Sequence, residues 1–145
     1  MMKLVDQLKS EITEEARKKI QDYGKGISGY GNIIGEDSLL RLFEFISRGK
    51  FIRGILAVSS YRALGGNDKE KMLSVAVAIE LLHAGFLMHD DVMDGDILRR
   101  GEPSVHVSYR DLFADEGLLN PEKNGESFAI CLGNIAYFIA FDLIA

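Results

Sequence analysis

Four aspartates and two arginines lie within the thirteen residues HDDVMDGDILRRG, from His89 to Gly101. Asp90 and Asp94 are four residues apart, so on a helix their carboxylates lie on one face, one turn from each other. Two unpaired carboxylates in this position repel each other, and a hard cation between them removes the repulsion. Oxygen ligands, with room for water and phosphate oxygens, are what Mg²⁺ prefers. The spacing predicts a magnesium site, with Asp91 turned away by about 100°.

A solvated helix end is the alternative interpretation of these carboxylates, because charged residues are common there. The C-terminal end of a helix is unfavourable for anions, which favours a bound cation. Arg99 and Arg100 also favour a site, since Gly101 and Pro103 predict a turn from which guanidinium groups can reach phosphate oxygens.

A second basic pair, Lys50 and Arg53, lies upstream in RGKFIRG. The two residues are three apart, so they share one face of a starting helix beside the flexible Gly49. Each basic pair alone is ordinary surface charge. Together with the aspartate pair they predict a site for phosphorylated ligands, one held through the metal and one held directly by basic side chains.

Composition limits the classes of protein that fit. With 145 residues and 47% hydrophobic content the chain is long enough for one domain, which we assign to residues 1–145. A net charge of −5 argues against nucleic acid or an anionic membrane surface as a partner. The single cysteine, Cys131, excludes an internal disulfide and favours a reducing, cytoplasmic location.

Hydrophobic periodicity predicts an all-α fold of long, mutually packed helices. A first helix carries Leu4, Leu8, Ile12 and Ile20 on one face and ends near Gly24. The glycine-rich stretch 23–38 is predicted to be a loop, after which Asp37 or Ser38 caps a second helix.

Two further helices follow in the central part of the chain. The segment FIRGILAVSSYRAL is predicted to be a helix that ends at Gly65 and Gly66. Asn67 and Glu70 resemble a capping box that opens a helix reaching about Gly95. We find no convincing period-2 strand. The central helix is apolar on nearly every side, so it should lie at the centre of the fold.

The last apolar run, SFAICLGNIAYFIAFDLIA, is the nearest approach to a membrane span. Asn134 and Asp142 interrupt it, whereas a span needs about twenty predominantly apolar residues. A buried core helix is the preferred interpretation, and no stable membrane insertion is expected.

Four motifs in this order resemble the trans-isoprenyl diphosphate synthase family, which includes the farnesyl and geranylgeranyl diphosphate synthases. The combination of DDxxD with RRGxPxxH is highly specific, whereas DDxxD alone is shared with terpene cyclases. The motifs are Gly49-Lys50-x-x-Arg53, Glu80-Leu81-Leu82-His83, Asp90-Asp91-x-x-Asp94 and Arg99-Arg100-Gly101-x-Pro103-x-x-His106.

The resemblance implies an antiparallel bundle of long helices of the isoprenoid-synthase type. It also implies a reaction in which an allylic diphosphate, held by Mg²⁺, loses diphosphate to give an allylic carbocation. The double bond of isopentenyl diphosphate attacks this cation, and proton loss leaves a chain that is five carbons longer. By the same resemblance, Asp90 and Asp94 are magnesium ligands and Arg99 binds the allylic diphosphate, while isopentenyl diphosphate is bound by Lys50, Arg53, His83 and Arg100.

The residues just before the first aspartate carry a prediction about product length. In this family, the residues one to two turns before the first aspartate lie under the growing chain. A glycine at position 85 leaves the tunnel open, which favours products longer than farnesyl, and Phe86 can cap the tunnel from the neighbouring angle. The alternative is that Gly85 permits close helix packing.

The remaining histidines, His89 and His106, are interpreted as structural. The pair His89-Asp90 is also found in HD phosphohydrolases, but three histidines with no second metal cluster make that family a poor match.

The chain departs from the family pattern in length, because the second aspartate-rich motif of the family is absent. We therefore interpret it as a truncated bundle, the N-terminal half of a synthase. It is expected to form a homo-oligomer or to pair with a missing C-terminal half. Two alternatives remain open: a non-catalytic subunit that binds a prenyl diphosphate or a catalytic partner, and a relative of the terpene cyclases. Lys50, Arg53 and Arg100 argue against the cyclase.

Overall fold

The computed structural model describes residues 2–28 and 33–145, and within these ranges its regular structure is helical apart from one short hairpin. The all-α prediction is confirmed. The elements are α1 (Met2–Ser28), α2 (Ile33–Ser47), α3 (Ile52–Ala63), α4 (Lys69–Asp94), β1 (Leu98–Arg99), β2 (Glu102–Pro103), α5 (Val105–Asp115) and α6 (Pro121–Ile144).

The first helix is longer than its glycines indicate. Three of the four predicted apolar positions are buried, namely Leu8, Ile12 and Ile20, whereas Leu4 is exposed. The predicted end near Gly24 is wrong, because α1 continues to Ser28. A glycine inside a helix costs only about 1 kcal/mol, which packing against α2 can offset.

The predicted loop over residues 23–38 is therefore wrong in most of its extent, and only residues 29–32 lie outside the described ranges. Asp37 and Ser38 do not cap α2, since the helix begins at Ile33. Asp37 instead accepts a hydrogen bond of 2.7 Å from Nε of Arg41, one helical turn later.

The boundaries of α3 and α4 follow the sequence closely. Gly65 has a φ of 86° and follows the last turn of α3, as predicted. The cap of α4 is Asp68 rather than Asn67, because its Oδ1 accepts a hydrogen bond of 3.0 Å from the backbone N–H of Lys71. The helix then runs to Asp94, one residue short of the predicted end.

The chain divides into two compact units. The first comprises Met1–Leu82 with Ile139–Ala145, and the second comprises His83–Phe138. The helix α4 contributes residues 69–82 to the first unit and 83–94 to the second. Its central part is buried, as the continuous apolar run predicted.

The second unit contains two elements that were not predicted. Arg100 and Gly101 both have positive φ, 57° and 83°, and form the two-residue turn that joins β1 to β2. The helix α5 follows, and its buried Tyr109 and Phe113 pack with Phe128 of α6. The turn after α4 that was predicted to carry the arginines is thus a short antiparallel hairpin.

Two of the described helices, α4 and α6, are long and apolar enough to cross a membrane by those criteria alone. The core helix of a soluble protein passes the same test. Just over half of the apolar window of α4 is buried, at 56%, against 33% for α6. One face of α6, with Leu132, Ala136 and Ile139, is buried, so the interpretation as a core helix fits this face alone.

Candidate functional site

The aspartate-rich segment lies in the second unit, at the point where α4 ends. Asp90 and Asp94 are both exposed, and Asp94 is the last residue of the helix. Gly95, with a φ of 69°, reverses the chain, and the N–H of Asp96 donates to the carbonyl of Asp91 at 2.9 Å. This closes the helix end and leaves two solvent-facing carboxylates one turn apart.

Asp91 occupies a different environment from its neighbours. Asp91 is only 1% exposed, although Asp90 and Asp94 of the same motif are both exposed. Its Oδ1 accepts a hydrogen bond of 2.5 Å from Nε of Arg99 and is also paired with Nη2 of that residue. The buried carboxylate therefore fixes the guanidinium group of Arg99.

Two more carboxylates surround the same guanidinium group. Nη2 of Arg99 lies 3.2 Å from Oδ2 of Asp96 and 3.5 Å from Oδ2 of Asp90. Because β1 returns past the end of α4, Arg99 is held beside the exposed Asp90 by the buried Asp91. Sequence spacing grouped these residues, and the structure brings them together.

Burial and hydrogen bonding act in opposite directions on this pair. Burial raises the pKa of Asp91, whereas the hydrogen bond from Arg99 acts to lower it. The hydrogen bond to Asp91 raises the pKa of Arg99. We treat the two residues as an ion pair, because a guanidinium group stays protonated in proteins and donates two of its N–H groups to this carboxylate. Oδ2 of Asp91 is buried and has no hydrogen-bond partner among the residues that the structure describes.

The oxygen donors at this helix end fit a magnesium ion. Within residues 2–28 and 33–145, no group of three or more His, Cys, Asp or Glu side chains converges to hold a metal. Magnesium does not need such a cage, since it is commonly bound by one or two carboxylates together with waters and phosphate oxygens. Asp90 and Asp94 supply two exposed carboxylates of that kind.

The second unit also contains Arg100 and His83, which were predicted to bind a ligand, and the two histidines that were interpreted as structural. Arg100 is exposed in the positive-φ turn of the hairpin. His83 is half-buried on α4, two turns before Asp90. His89 Nε2 lies 3.1 Å from the carbonyl oxygen of Ile130, and His106 contacts Ser104, which is consistent with structural roles for both histidines.

Lys50 and Arg53 lie in the first unit, around the start of α3. Both side chains are exposed. Neither makes an ion pair with any residue in the part of the chain that the structure describes. Between them, Phe51 has a φ of 54° and is only 2% exposed. The chain thus buries the aromatic residue and leaves the two cations accessible to a ligand.

Gly85, predicted to shape the product tunnel, is buried against α6. A Cβ atom at this position would lie 2.4 Å from Cε1 of Tyr137 and 2.9 Å from the carbonyl oxygen of Gly133. The ring of the exposed Phe86 contacts that of Tyr137, with 5.3 Å between centroids. The contacts of Gly85 match the alternative interpretation, close helix packing. Control of product length by either residue stays a prediction.

Alanine at position 85 is expected to destabilise the chain by about 1–3 kcal/mol, because backbone and ring atoms leave no room for a methyl group. Gly24→Ala is the matched control. Its Cβ would meet Leu39 Cδ1 at an ordinary 3.5 Å inside α1, so a gain of about 0.5–1 kcal/mol is expected. Thermal unfolding of both variants measures the contrast. Equal effects at the two positions would show that Gly85 is not a packing glycine.

Sequence reasoning missed the role of Asp91, which it described only as turned away from the metal face. The available signal was its direction, about 100° from Asp90 and therefore towards the apolar side of α4. A carboxylate on that side needs a cationic partner, and Arg99 is eight residues later.

Comparison with known protein families matches residues 37–145 to the family described as polyprenyl synthetase. A short chain isoprenyl diphosphate synthase of Methanothermobacter thermautotrophicus is 37% identical in an alignment of 149 positions. The alignment covers 99% of this chain and 38% of that protein. A geranylgeranyl diphosphate synthase of Saccharolobus solfataricus is 38% identical over 93% of this chain and 34% of its own length.

A protein named as a component of a synthase is also among the similar proteins. Heptaprenyl diphosphate synthase component 2 of Geobacillus stearothermophilus is 38% identical over 71% of this chain and 29% of that protein. The chain thus spans less than two-fifths of the length of these curated relatives.

The fold is shared with a solved structure, that of geranylgeranyl pyrophosphate synthase from Corynebacterium glutamicum complexed with isoprenyl diphosphate and magnesium. The TM-score is 0.86 at 23% identity, over 97% of this chain and 41% of that one. This likeness confirms the predicted helical bundle of the isoprenoid-synthase type.

Proposed function

Because the chain belongs to the polyprenyl synthetase family, we propose that it carries diphosphate-binding machinery of a trans-prenyltransferase. Such an enzyme condenses an allylic diphosphate with isopentenyl diphosphate in isoprenoid biosynthesis. One observation supports this function most strongly. Two exposed carboxylates, Asp90 and Asp94, end α4 beside a guanidinium group, Arg99, that a buried aspartate holds in place.

The reaction begins with loss of diphosphate from the allylic substrate, which concentrates negative charge on the leaving group. Groups that are fixed in advance where charge develops stabilise the transition state most effectively. Arg99 fits this requirement, because Nε and Nη2 both bind Asp91 and so hold the guanidinium group in place. We therefore assign Arg99 to the allylic diphosphate.

Asp90 and Asp94 are the residues that would hold Mg²⁺. When bound, the metal would neutralise charge on the diphosphate and so assist its departure. The side chains of these two aspartates carry like charge at the C-terminal end of α4, where the helix dipole disfavours anions. A cation bound between them would offset this unfavourable charge.

Isopentenyl diphosphate is the ligand that we assign to Lys50 and Arg53. Both cations are exposed at the start of α3, and neither is neutralised by a described carboxylate. The compact ammonium group of Lys50 and the planar fork of Arg53 are both suited to phosphate oxygens. The roles of His83 and Arg100 towards the same ligand rest on the family motifs alone.

The second candidate function is that of a non-catalytic subunit that binds prenyl diphosphates or a catalytic partner. The name of one relative, component 2 of a heptaprenyl diphosphate synthase, supports association with a partner. Both candidates require diphosphate binding, and they differ in turnover.

Incubation of the chain with Mg²⁺, labelled isopentenyl diphosphate and geranyl diphosphate distinguishes the two candidates. Extractable prenyl product that disappears in Asp90→Ala supports the prenyltransferase. Absence of product, together with magnesium-dependent binding of geranyl diphosphate, supports the binding subunit. Absence of both turnover and binding would contradict both functions.

Association with another chain is part of this proposal. Three apolar side chains near the end of α6 are more than half exposed: Phe138 at 74%, Phe141 at 56% and Ile144 at 51%. Exposed apolar residues favour a protein partner. We expect sedimentation velocity to show a dimer or a larger homo-oligomer, and replacement of Phe138 and Phe141 by serine to shift it towards monomer. A stable wild-type monomer at micromolar concentration would contradict this prediction.

A cytoplasmic location without nucleic acid or an integral membrane span completes the proposal. It is supported by the single free cysteine, Cys131, and by the net charge of −5.

A further inference from the structure

The carboxylate of Glu80 is buried in the first unit, where it binds the start of a neighbouring helix. Glu80 belongs to α4, and its residue is only 8% exposed. Its Oε1 accepts a hydrogen bond of 2.8 Å from the backbone N–H of Gly54, the third residue of α3. The first N–H groups of a helix have no partner within the helix, and an anion is favoured beside them. Glu80 therefore caps α3 from a position 26 residues away.

The start of α3 has no local cap that could replace this contact. Phe51 occupies the cap position with a φ of 54° and makes no side-chain cap hydrogen bond. A left-handed conformation is unusual for an aromatic residue and persists only where the surroundings hold it. Two such restraints act here. The buried ring of Phe51 holds the backbone before Arg53, and the carboxylate of Glu80 holds the backbone N–H of Gly54 after it.

Gly54 lets the two helices approach closely enough for the contact. A Cβ atom at this position would lie 3.2 Å from the carbonyl oxygen of Ala76 and 3.3 Å from Cγ of Glu80. A larger residue would push α3 away from α4 and lengthen the hydrogen bond. Gly54 and Glu80 thus form a matched pair that sets the position of the α3 backbone.

The exposed cations lie on the backbone that this pair restrains. Lys50 immediately precedes Phe51, and Arg53 immediately precedes Gly54. From these contacts we infer that Glu80 is a positioning residue, which fixes the backbone from which Lys50 and Arg53 reach a diphosphate group. The inference rests on the proposed function, because it takes these two cations as the ligands of isopentenyl diphosphate.

The test compares Glu80→Ala and Glu80→Gln with wild type, and uses Glu126→Ala, an exposed position on α6, as the control. Glutamine keeps an oxygen acceptor of the same length, whereas alanine removes it. Two quantities are measured: hydrogen exchange at the Gly54 amide, and calorimetric affinity for isopentenyl diphosphate. Affinity for geranyl diphosphate with Mg²⁺ is measured in parallel as the reference ligand.

Glu80→Ala is expected to lose exchange protection at Gly54 and to bind isopentenyl diphosphate about tenfold more weakly, as loss of one charge-assisted hydrogen bond at the supporting backbone predicts. Its affinity for geranyl diphosphate should change by less than about twofold. Glu80→Gln should recover most of the protection and affinity, and Glu126→Ala should match wild type. A general loss of structure would instead weaken binding of both ligands.

Each other outcome overturns the inference and is distinguishable from failure of the proposed function. If wild type binds isopentenyl diphosphate and Glu80→Ala binds it equally well, the positioning role is wrong and the function stands. If Glu80→Ala lowers the affinity for both ligands equally, Glu80 is a structural residue only. If wild type itself binds no isopentenyl diphosphate, the assignment of Lys50 and Arg53 is wrong, and the positioning role is lost with it.

Discussion

Replacement of both Asp90 and Asp94 by asparagine is expected to weaken magnesium-dependent binding of geranyl diphosphate by about a hundredfold or more. Loss of residues that merely orient metal ligands already costs about 10–100-fold in metal affinity, so loss of two direct ligands should cost at least the upper value. The amides keep the shape and much of the hydrogen bonding of the site, so the change isolates the charge. Calorimetry with and without Mg²⁺ measures the effect.

The same double variant should not lose stability. In the wild-type chain the two carboxylates repel each other and oppose the dipole of α4, and the exposed contact of Asp90 with Arg99, at 3.5 Å, offsets little of this. Their removal is therefore expected to stabilise the chain by about 0.3–1 kcal/mol. Asp115→Asn is a matched control, because Asp115 is the exposed last residue of α5, as Asp94 is of α4. This control should leave binding unchanged. A double variant that binds geranyl diphosphate like wild type would exclude these aspartates as metal ligands.

Arg99→Met is expected to destabilise the chain by about 3–5 kcal/mol, the largest stability effect that we predict. The substitution removes the partner of Asp91, which is 1% exposed and whose second oxygen has no hydrogen-bond partner in the described part of the chain. A buried carboxyl group is then left without its cationic partner, which is far more costly than at the surface. Chemical denaturation at neutral pH measures the change in the free energy of unfolding.

A second substitution separates the buried charge from lost packing. Asp91→Asn in the Arg99→Met background should restore at least about 1 kcal/mol, because it removes the unpaired charge. Arg110→Met is the surface control, since Arg110 pairs with the exposed Asp111, and it should cost about 1 kcal/mol or less. An Arg99→Met variant no less stable than this control would show that Asp91 does not depend on the ion pair.

Local signals in the sequence predicted the helices that glycine and apolar residues delimit. The helix α4 was predicted within about two residues, because Gly66 and Gly95 flank a continuous apolar run. The predicted end of α1, near Gly24, was wrong because a glycine there does not end the helix. Gly24 is a breaker by propensity, but in the fold α1 continues through it and packs against α2, and this packing overrides its helix cost.

The sequence predicted which residues form the candidate site, but not the tertiary contacts that hold them. The helical spacing of Asp90 and Asp94 requires no tertiary information, and both residues lie on α4, one turn apart. The ion pair of Asp91 with Arg99 depends on a hairpin whose strands have only two residues each. Such short strands give no detectable alternation of apolar and polar side chains. The contact of Glu80 with Gly54 joins two helices, and no periodicity within either helix reports it.

Gly85 shows where a motif and the packing lead to different expectations. The resemblance to the synthases assigned the position to product length, through an open tunnel beneath the site. The structure instead gives Gly85 close neighbours on α6 in Tyr137 and Gly133. A glycine in a helix has both uses, and its sequence context carries no information on the neighbouring helix.

Calorimetric titration of the wild-type chain with geranyl diphosphate, in Mg²⁺ and then in excess chelator, tests the central claim most directly. A site formed by Asp90, Asp94 and Arg99 predicts saturable binding with Mg²⁺ and an affinity at least about a hundredfold lower without it. Equal affinity in the two conditions, or no binding in either, would contradict the proposal that this helix end holds a diphosphate through magnesium.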